Sequence, residues 1–152
     1  MRQRTRPRRS LEGDRRLVAT CLSTIAALVA LAGCTNAPLG SALAVWELAP
    51  DSTVDAQTTT LTVLVNRVGC NDGVTGTVNT PDINVDEAEV VVTFFVSPGE
   101  PLAANCSGNN SVAYDVVLPE PLGDRRLLDG ACDRPEARSL VFCEPDGIRS
   151  SP

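Results

Sequence analysis

Hydrophobic and polar side chains alternate residue by residue along three stretches of the chain, 61–66, 89–96 and 112–118. Valine, threonine and aromatic residues are frequent in them, and a period of two in such residues is typical of β-strands with one buried face. Shorter segments of the same character are 42–48, 76–78, 125–128 and 139–142. Turn-forming Asn, Asp, Gly and Pro residues separate the segments. The pattern predicts an all-β fold, a small antiparallel β-sandwich of about seven short strands.

The immunoglobulin-like arrangement is one form of such a sandwich, and its usual signature is a tryptophan between two paired cysteines. Trp46 is the one tryptophan of the chain, and it precedes the four cysteines that follow residue 34. The departure counts against the immunoglobulin-like subtype but not against the sandwich class, which remains the expectation. Beyond residue 42 no stretch carries the 3.6-residue apolar period of an amphipathic helix.

The first 33 residues have the pattern of an export signal. Seven arginines lie within the first 16 residues, and an uncharged, mostly apolar run of 17 residues follows at 17–33. A basic start, a short apolar core and small residues before a cleavage point are typical of a signal peptide. A helix of this run would rise about 25 Å, less than the bilayer core of about 30 Å. We predict a signal-peptide helix within 1–33 and keep an uncleaved membrane anchor as the alternative.

The apolar run ends in Leu31-Ala32-Gly33-Cys34, which resembles the lipobox of bacterial lipoproteins at all four positions. The resemblance implies that Cys34 is alkylated with diacylglycerol and becomes the lipidated N-terminus of the mature chain. Its palmitate-type acyl chains would anchor the protein to the extracytoplasmic face of the cell membrane. Residues 34–42 would then form a flexible tether, and 43–152 the β-sandwich domain with a loose C-terminal tail.

Four cysteines follow the lipobox, and an even number outside the membrane is typical of disulfides. Of the three possible pairings, Cys70–Cys106 with Cys132–Cys143 is expected because each bond closes a local loop. Loops of these lengths correspond to about 4 and about 3 kcal/mol of stabilisation in the chain-entropy account. A zinc site is the competing interpretation, but the chain has no histidine and no C-x-x-C spacing.

Charge excludes several classes of partner and reaction. Residues 34–152 hold six arginines against 17 acidic residues, a net charge of −11, which argues against binding to nucleic acid or lying flat on an anionic membrane. Histidine and lysine are absent, so neither a Ser-His-Asp nor a Ser-Lys arrangement can form. We expect no enzyme activity and no cofactor.

The densest acidic stretch, 82–89, has oxygen-bearing side chains at alternate positions, Asp82, Asn84 and Asp86. Three interpretations are open. The stretch is a solvated turn that leads into the strand at 89–96, or a loop that holds Ca²⁺ through hard oxygen ligands, or a source of paired carboxylates for hydrolysis. The solvated turn is the expected one.

A second notable turn contains Glu120, Gly123, Asp124 and Arg125. Together with Val91-Val92-Thr93 and the spacing Cys70-x-x-Gly73-x-x-Gly76, it is similar to a β-domain that recurs in secreted lipoproteins of high-GC Gram-positive bacteria. The similarity covers about residues 58–143 and implies no particular activity. We expect an Asp124–Arg125 ion pair to brace the turn, and binding of a partner is the alternative role.

These patterns predict a membrane-tethered, exported β-domain that binds or scaffolds a protein or polymer of the cell envelope. It is expected to be a monomer without nucleic-acid partners. A Ca²⁺-dependent adhesion module and a small carboxylate-based hydrolase are the alternative functions.

Overall fold

Seven β-strands make up most of the regular structure, and the all-β prediction is confirmed. The computed structural model describes residues 39–99, 105–106 and 108–152, all within one unit that comprises residues 35–152. The strands are β1 (Ala42–Leu48), β2 (Thr60–Arg67), β3 (Asp82–Val85), β4 (Glu89–Val96), β5 (Val112–Val117), β6 (Arg126–Asp129) and β7 (Ile148–Ser150). Two short 3-10 helices, η1 (Gly130–Asp133) and η2 (Val141–Cys143), lie between β6 and β7.

The strands follow one hydrogen-bonded order, β5-β2-β1-β4-β6-β7, with β3 also paired to β4. Strand β4 is the branch point. One edge of β4 is occupied by β3 and by the isolated bridge Val78–Val96. The other edge is therefore shared by two strands, since residues 94–96 pair with β1 and residues 89–92 pair with β6. The sheet splits where β1 leaves β4 and β6 takes over.

One ladder departs from the antiparallel prediction. Strands β4 and β6 run parallel, whereas the other five ladders between the described strands are antiparallel. The sheet is therefore mixed, and the prediction of a purely antiparallel sandwich is wrong in this respect. The parallel pair arises because the chain leaves β4, returns along β2 as β5, and then enters β6 in the direction of β4. The immunoglobulin-like arrangement is not confirmed.

The main core is formed by the apolar side chains that alternate with more exposed ones along the strands. Its fully buried members include Trp46 and Phe94, whose rings meet edge to face with centroids 6.3 Å apart. Tyr114 packs on Phe94 in the same way, with centroids 5.3 Å apart. Such aromatic pairs add to the stabilisation that burial of their area provides. The other buried members on the strands are Ala44, Leu61, Val63, Val65, Val90, Val92, Val96, Val116 and Leu127.

A second, smaller cluster covers the opposite face of β1. Val45 is buried there against Ala131, Ala137 and the disulfide Cys132–Cys143. Strand β1 is thus buried on both faces, with the sheet core on one side and the 3-10 segment on the other. The short 3-10 helices within residues 130–143 and their disulfide thus cover this face of β1.

Four segments differ from their sequence predictions. Residues 139–142 are not a strand, because η2 begins at Val141 and carries Cys143 to its disulfide partner. Residues 76–78 contribute only the single bridge at Val78. Residues 82–85, predicted as a turn or loop, form strand β3. The C-terminal tail is not loose, since β7 pairs with β6 and its Arg149 side chain is 7% exposed.

Candidate functional site

An open cleft of about 300 Å³ lies between the outer face of β3–β4 and η1, lined by Asn84, Val91, Thr93, Gly130, Asp133 and Arg134. Asn84 and Val91 are direct partners in the β3–β4 ladder. Thr93 follows Val91 by two residues and so shares its face of β4. The 3-10 helix η1 supplies Gly130 at its first residue and Asp133 at its last, with Arg134 next. The lining residues therefore come from β3, from β4 and from η1 with the residue that follows it.

Gly130 sets the depth of the cleft. A Cβ atom on this residue would collide with the Thr93 hydroxyl and would lie 2.9 Å from Val91 Cγ1. Only glycine lets η1 approach the outer face of β4 this closely. The Gly130 contact thus brings η1 directly against Thr93 and Val91 of β4, which line the same cleft.

Four polar side chains of the lining have no partner within the part of the chain that the structure describes. They are the Asn84 amide, the Thr93 hydroxyl, the Asp133 carboxylate and the Arg134 guanidinium. Thr93 is 8% exposed, and its hydroxyl, which opens onto the cleft, has no hydrogen bond to another described residue. The lining offers hydrogen-bond donors and acceptors, including one positively charged and one negatively charged group. It contains one carboxylate, whereas glycoside hydrolysis uses two.

A buried ion pair lies behind η1 and fixes its position. Asp129 Oδ2 accepts hydrogen bonds from Arg149 Nη2 at 2.8 Å and from the backbone N–H of Trp46 at 3.0 Å. Asp129 Oδ1 accepts from the backbone N–H of Ala131 at 2.9 Å, which caps η1. Burial raises the pKa of Asp129 to about 6, and these three donors act in the opposite direction. The carboxylate therefore joins β1, β7 and η1 behind the cleft.

Arg149 completes this arrangement. Its Nε donates to the carbonyl oxygen of Trp46, and its guanidinium carbon lies 5.5 Å from the centre of the indole ring. Trp46 Nε1 donates to the carbonyl oxygen of Val92 at 2.9 Å. Both backbone polar groups of Trp46 thus find partners at the point where the sheet splits, as buried backbone groups require.

The predicted acidic stretch does not converge into one site. Asp82 and Asn84 lie on β3, and only Asn84 lines the cleft. Asp86 lies beyond the strand, where its Oδ1 accepts from the backbone N–H groups of Ala88 and Glu89, each at 2.8 Å. These bonds lower the pKa of Asp86. Across residues 39–99, 105–106 and 108–152, no three His, Cys, Asp or Glu side chains form a group that could hold a metal ion.

The turn at residues 120–125 is braced, but by a different ion pair from the predicted one. Arg125 pairs with Glu120 instead of Asp124, and its Nε donates to the carbonyl oxygen of Leu122 at 2.8 Å. Leu122 is buried in the core, and its N–H donates to the carbonyl oxygen of Thr58 at 2.9 Å. The predicted pairing is wrong because Leu122 folds into the core and the turn around it places the guanidinium beside Glu120. Gly123 takes a φ of +64°, as this tight turn requires.

Both predicted disulfides, Cys70–Cys106 and Cys132–Cys143, are confirmed. They differ in environment, since Cys132 and Cys143 are 7% and 6% exposed whereas both residues of the other pair are exposed. The predicted signal peptide and Cys34 lie outside the described residues. No helix in the described part of the chain has the length and apolar character needed to cross a bilayer.

The spacing Cys70-x-x-Gly73-x-x-Gly76 has a structural basis. Gly73 and Gly76 take φ values of +84° and +88°, which only glycine adopts readily. The loop wraps around buried Arg67, whose Nε donates to the carbonyl oxygen of Thr75 at 3.3 Å. Burial lowers the pKa of Arg67. This part of the resemblance therefore corresponds to a packed loop under an exposed disulfide.

Sequence reasoning did not identify Thr93, Asp133 and Arg134 as site residues. The strand alternation does place Thr93 and Val91 on one face of the predicted strand at 89–96. The position of Asp133 and Arg134 depends on the long-range Asp129–Arg149 contact, for which the sequence carries no local signal. Comparison with protein-family models, with curated proteins and with solved structures gives no match for this chain.

Proposed function

We propose that this chain is an exported bacterial lipoprotein, held on the extracytoplasmic face of the cell membrane by lipid on Cys34. Its β-domain acts there as a non-enzymatic binding module. The observation that carries the proposal is the pairing of all four cysteines beyond Cys34 into two disulfides. Disulfides persist in oxidising compartments outside the cytoplasm. With those four thiols paired, Cys34 is the remaining cysteine outside the predicted signal peptide.

The lipobox resemblance and the charge of the chain support the same location. An apolar run that ends in Leu31-Ala32-Gly33-Cys34 fits export followed by lipid attachment. The net charge of −11 over 34–152 gives the domain little attraction to anionic lipid, so stable membrane association would depend on the acyl chains. The similarity to a β-domain of secreted lipoproteins in high-GC Gram-positive bacteria belongs to this proposal as well.

We favour a binding module over a Ca²⁺-dependent adhesion module and a carboxylate-based hydrolase because of where the acidic side chains lie. The Asp86 carboxylate accepts two backbone hydrogen bonds at the β3–β4 turn, so Ca²⁺ would have to compete with them. Asp133 is the one carboxylate among the residues that line the cleft. A cleft with unpartnered polar groups of both charges suits recognition of a polar ligand.

Fractionation of bacteria that express the full chain tests the proposal. The wild-type protein is expected in the membrane fraction and to be extracted by detergent but not by high salt. Cys34→Ser should leave the membrane fraction or accumulate as precursor, because the acyl chains have no attachment point. The matched variant Cys21→Ser, within the predicted signal peptide, should behave as wild type. Equal membrane association of the wild type and a Cys34→Ser protein processed to the same length would overturn the lipid anchor.

A further inference from the structure

We infer that the cleft beside η1 binds a small polar molecule that carries a carboxylate next to hydrogen-bond donors. The inference rests on the proposed function in so far as the domain is a binding module, and it names the ligand class of that module. It depends on the residues that line the cleft, Asn84, Thr93, Asp133 and Arg134.

The Thr93 hydroxyl is the first observation in favour of a ligand. Thr93 is more than nine-tenths buried and lines the cleft, yet its hydroxyl has no hydrogen-bond partner among the described residues. Buried hydroxyl groups are usually hydrogen-bonded within the protein, whereas this one opens onto the cleft. The buried Thr75 shows the usual behaviour, since its hydroxyl contacts the Asn110 carbonyl oxygen. A ligand group in the cleft would satisfy Thr93.

Arg134 is the second observation. The other five arginines after residue 34 direct their guanidinium groups to protein acceptors: Arg67, Arg125, Arg126, Arg138 and Arg149. Arg134 is exposed and makes no such contact with a described residue, although the chain is strongly acidic. A free guanidinium at the cleft is a donor for a carboxylate, with which it can form two parallel hydrogen bonds.

Asp133 limits the ligand to a molecule that is not a simple anion. Its carboxylate lines the same cleft and would repel a second negative charge unless the ligand also presents donors to it. Asn84 can donate to or accept from the same molecule. Hydroxyl or ammonium groups beside the carboxylate of the ligand would meet these needs. Sugar acids and amino acids share this chemistry.

The size and apolar part of the cleft agree with a molecule of this class. Its volume of about 300 Å³ corresponds to about ten water molecules. Val91 provides an apolar side chain in the lining. One sugar ring or one short amino-acid unit fits this volume.

Nuclear magnetic resonance of the ¹⁵N-labelled full chain in mild detergent tests the inference. The probes are sodium glucuronate and glycine, each compared with an analogue that lacks the carboxylate, glucose and glycinamide respectively. Saturable shifts are expected at the backbone amides of Thr93, Gly130 and Arg134 and at the Asn84 side-chain amide. Shifts with glucuronate alone or glycine alone support the inference and identify the source of the carboxylate. Absence of shifts with both, or equal shifts with the analogues that lack the carboxylate, would overturn it.

Variants separate binding from folding. Arg134→Gln should weaken the affinity for the active probe by about tenfold or more, because a charged hydrogen bond is lost. Arg138→Gln is the matched control, since Arg138 contacts a backbone oxygen of Asp133 and does not line the cleft. The single indole N–H signal, from Trp46 bound to Val92, reports whether each variant is folded. Undiminished affinity in a folded Arg134→Gln protein would contradict the inference, and it would leave the Cys34 proposal untouched.

Discussion

Asp129 and Arg149 form an ion pair with 2.8 Å between Oδ2 and Nη2, and both side chains also bind the backbone of Trp46. The pair is almost fully buried, with side-chain exposures of 0% and 7%. It satisfies Trp46 where β1 leaves β4, and through the Ala131 N–H it fixes the start of η1. The shape of the cleft therefore depends on a contact between β6 and the C-terminal strand.

Arg149→Met tests how far the fold depends on this pair. The substitution leaves a buried carboxylate without its cation, and breaking a buried ion pair on one side costs about 3–5 kcal/mol. We expect a loss of that size in the free energy of unfolding, measured by urea denaturation with the disulfides intact. Arg138→Met, which removes an exposed arginine, should change it by less than about 0.5 kcal/mol. Similar losses in both variants would contradict a structural role for the pair.

The raised pKa of Asp129 predicts a particular pH dependence of stability. With a folded-state pKa of about 6 against an ordinary value of 3.8, the native protein keeps a proton that the unfolded chain has already released. The contribution of Asp129 to stability is therefore fully present below pH 4 and is lost as pH rises towards 6. The change is about 3 kcal/mol. Urea unfolding of wild type and Asp129→Asn across this range measures it.

The contribution of Asp129 to the free energy of unfolding is obtained by subtracting the pH profile of Asp129→Asn from that of the wild type. Asp86, whose pKa is lowered, acts in the opposite sense and below pH 4, where its stabilising backbone bonds are lost on protonation. It is present in both proteins and cancels in the comparison. If Asp129→Asn shows the same fall between pH 4 and 6 as the wild type, another group is responsible.

The two disulfides should differ in accessibility to reductant. Cys70 and Cys106 are exposed, whereas Cys132 and Cys143 are buried over Val45. Brief treatment of the native protein with a phosphine reductant, then alkylation and peptide mapping, should label the first pair only. Thiolate exchange and reduction need access to a sulfur atom, so the buried pair should react only after denaturation. Equal labelling of the two pairs under native conditions would contradict the described burial.

Gly130→Ala tests the packing of η1 against β4. The added methyl group would collide with the Thr93 hydroxyl, and overpacking of this kind costs about 1–3 kcal/mol. The variant should unfold at lower urea concentration than the wild type. Thr93→Ala removes the obstructing atom, so the double variant should be less destabilised than the sum of the single effects. Strictly additive effects would show that the two residues are not in contact.

The strands with strong alternation were predictable from the sequence because their pattern is local. Strands β2, β4 and β5 lie within a residue or two of the predicted bounds, and β1 matches them. The disulfide pairing followed from loop length alone. These features depend on neighbours in sequence or on the closure of a short loop.

The features that the sequence did not reveal depend on distant contacts. Strand β3 is only four residues long, and its two polar residues, Asp82 and Asn84, made it resemble a loop. Strand β7 contains an arginine whose burial is possible only because Asp129 lies opposite it. The parallel pairing of β6 has no local signature either. The cleft was not predictable for the same reason, since the position of η1 against β4 depends on the long-range contact between Asp129 and Arg149.

The state of Cys34 in protein recovered from cells tests the central claim most directly. The chain has no lysine, and its arginines at 16 and 67 define the tryptic peptide that contains this residue. The account predicts a peptide of residues 34–67 whose N-terminal cysteine carries diacylglycerol, identified by mass spectrometry of the membrane fraction. An intact peptide of residues 17–67, or an unmodified Cys34 at the N-terminus, would contradict it.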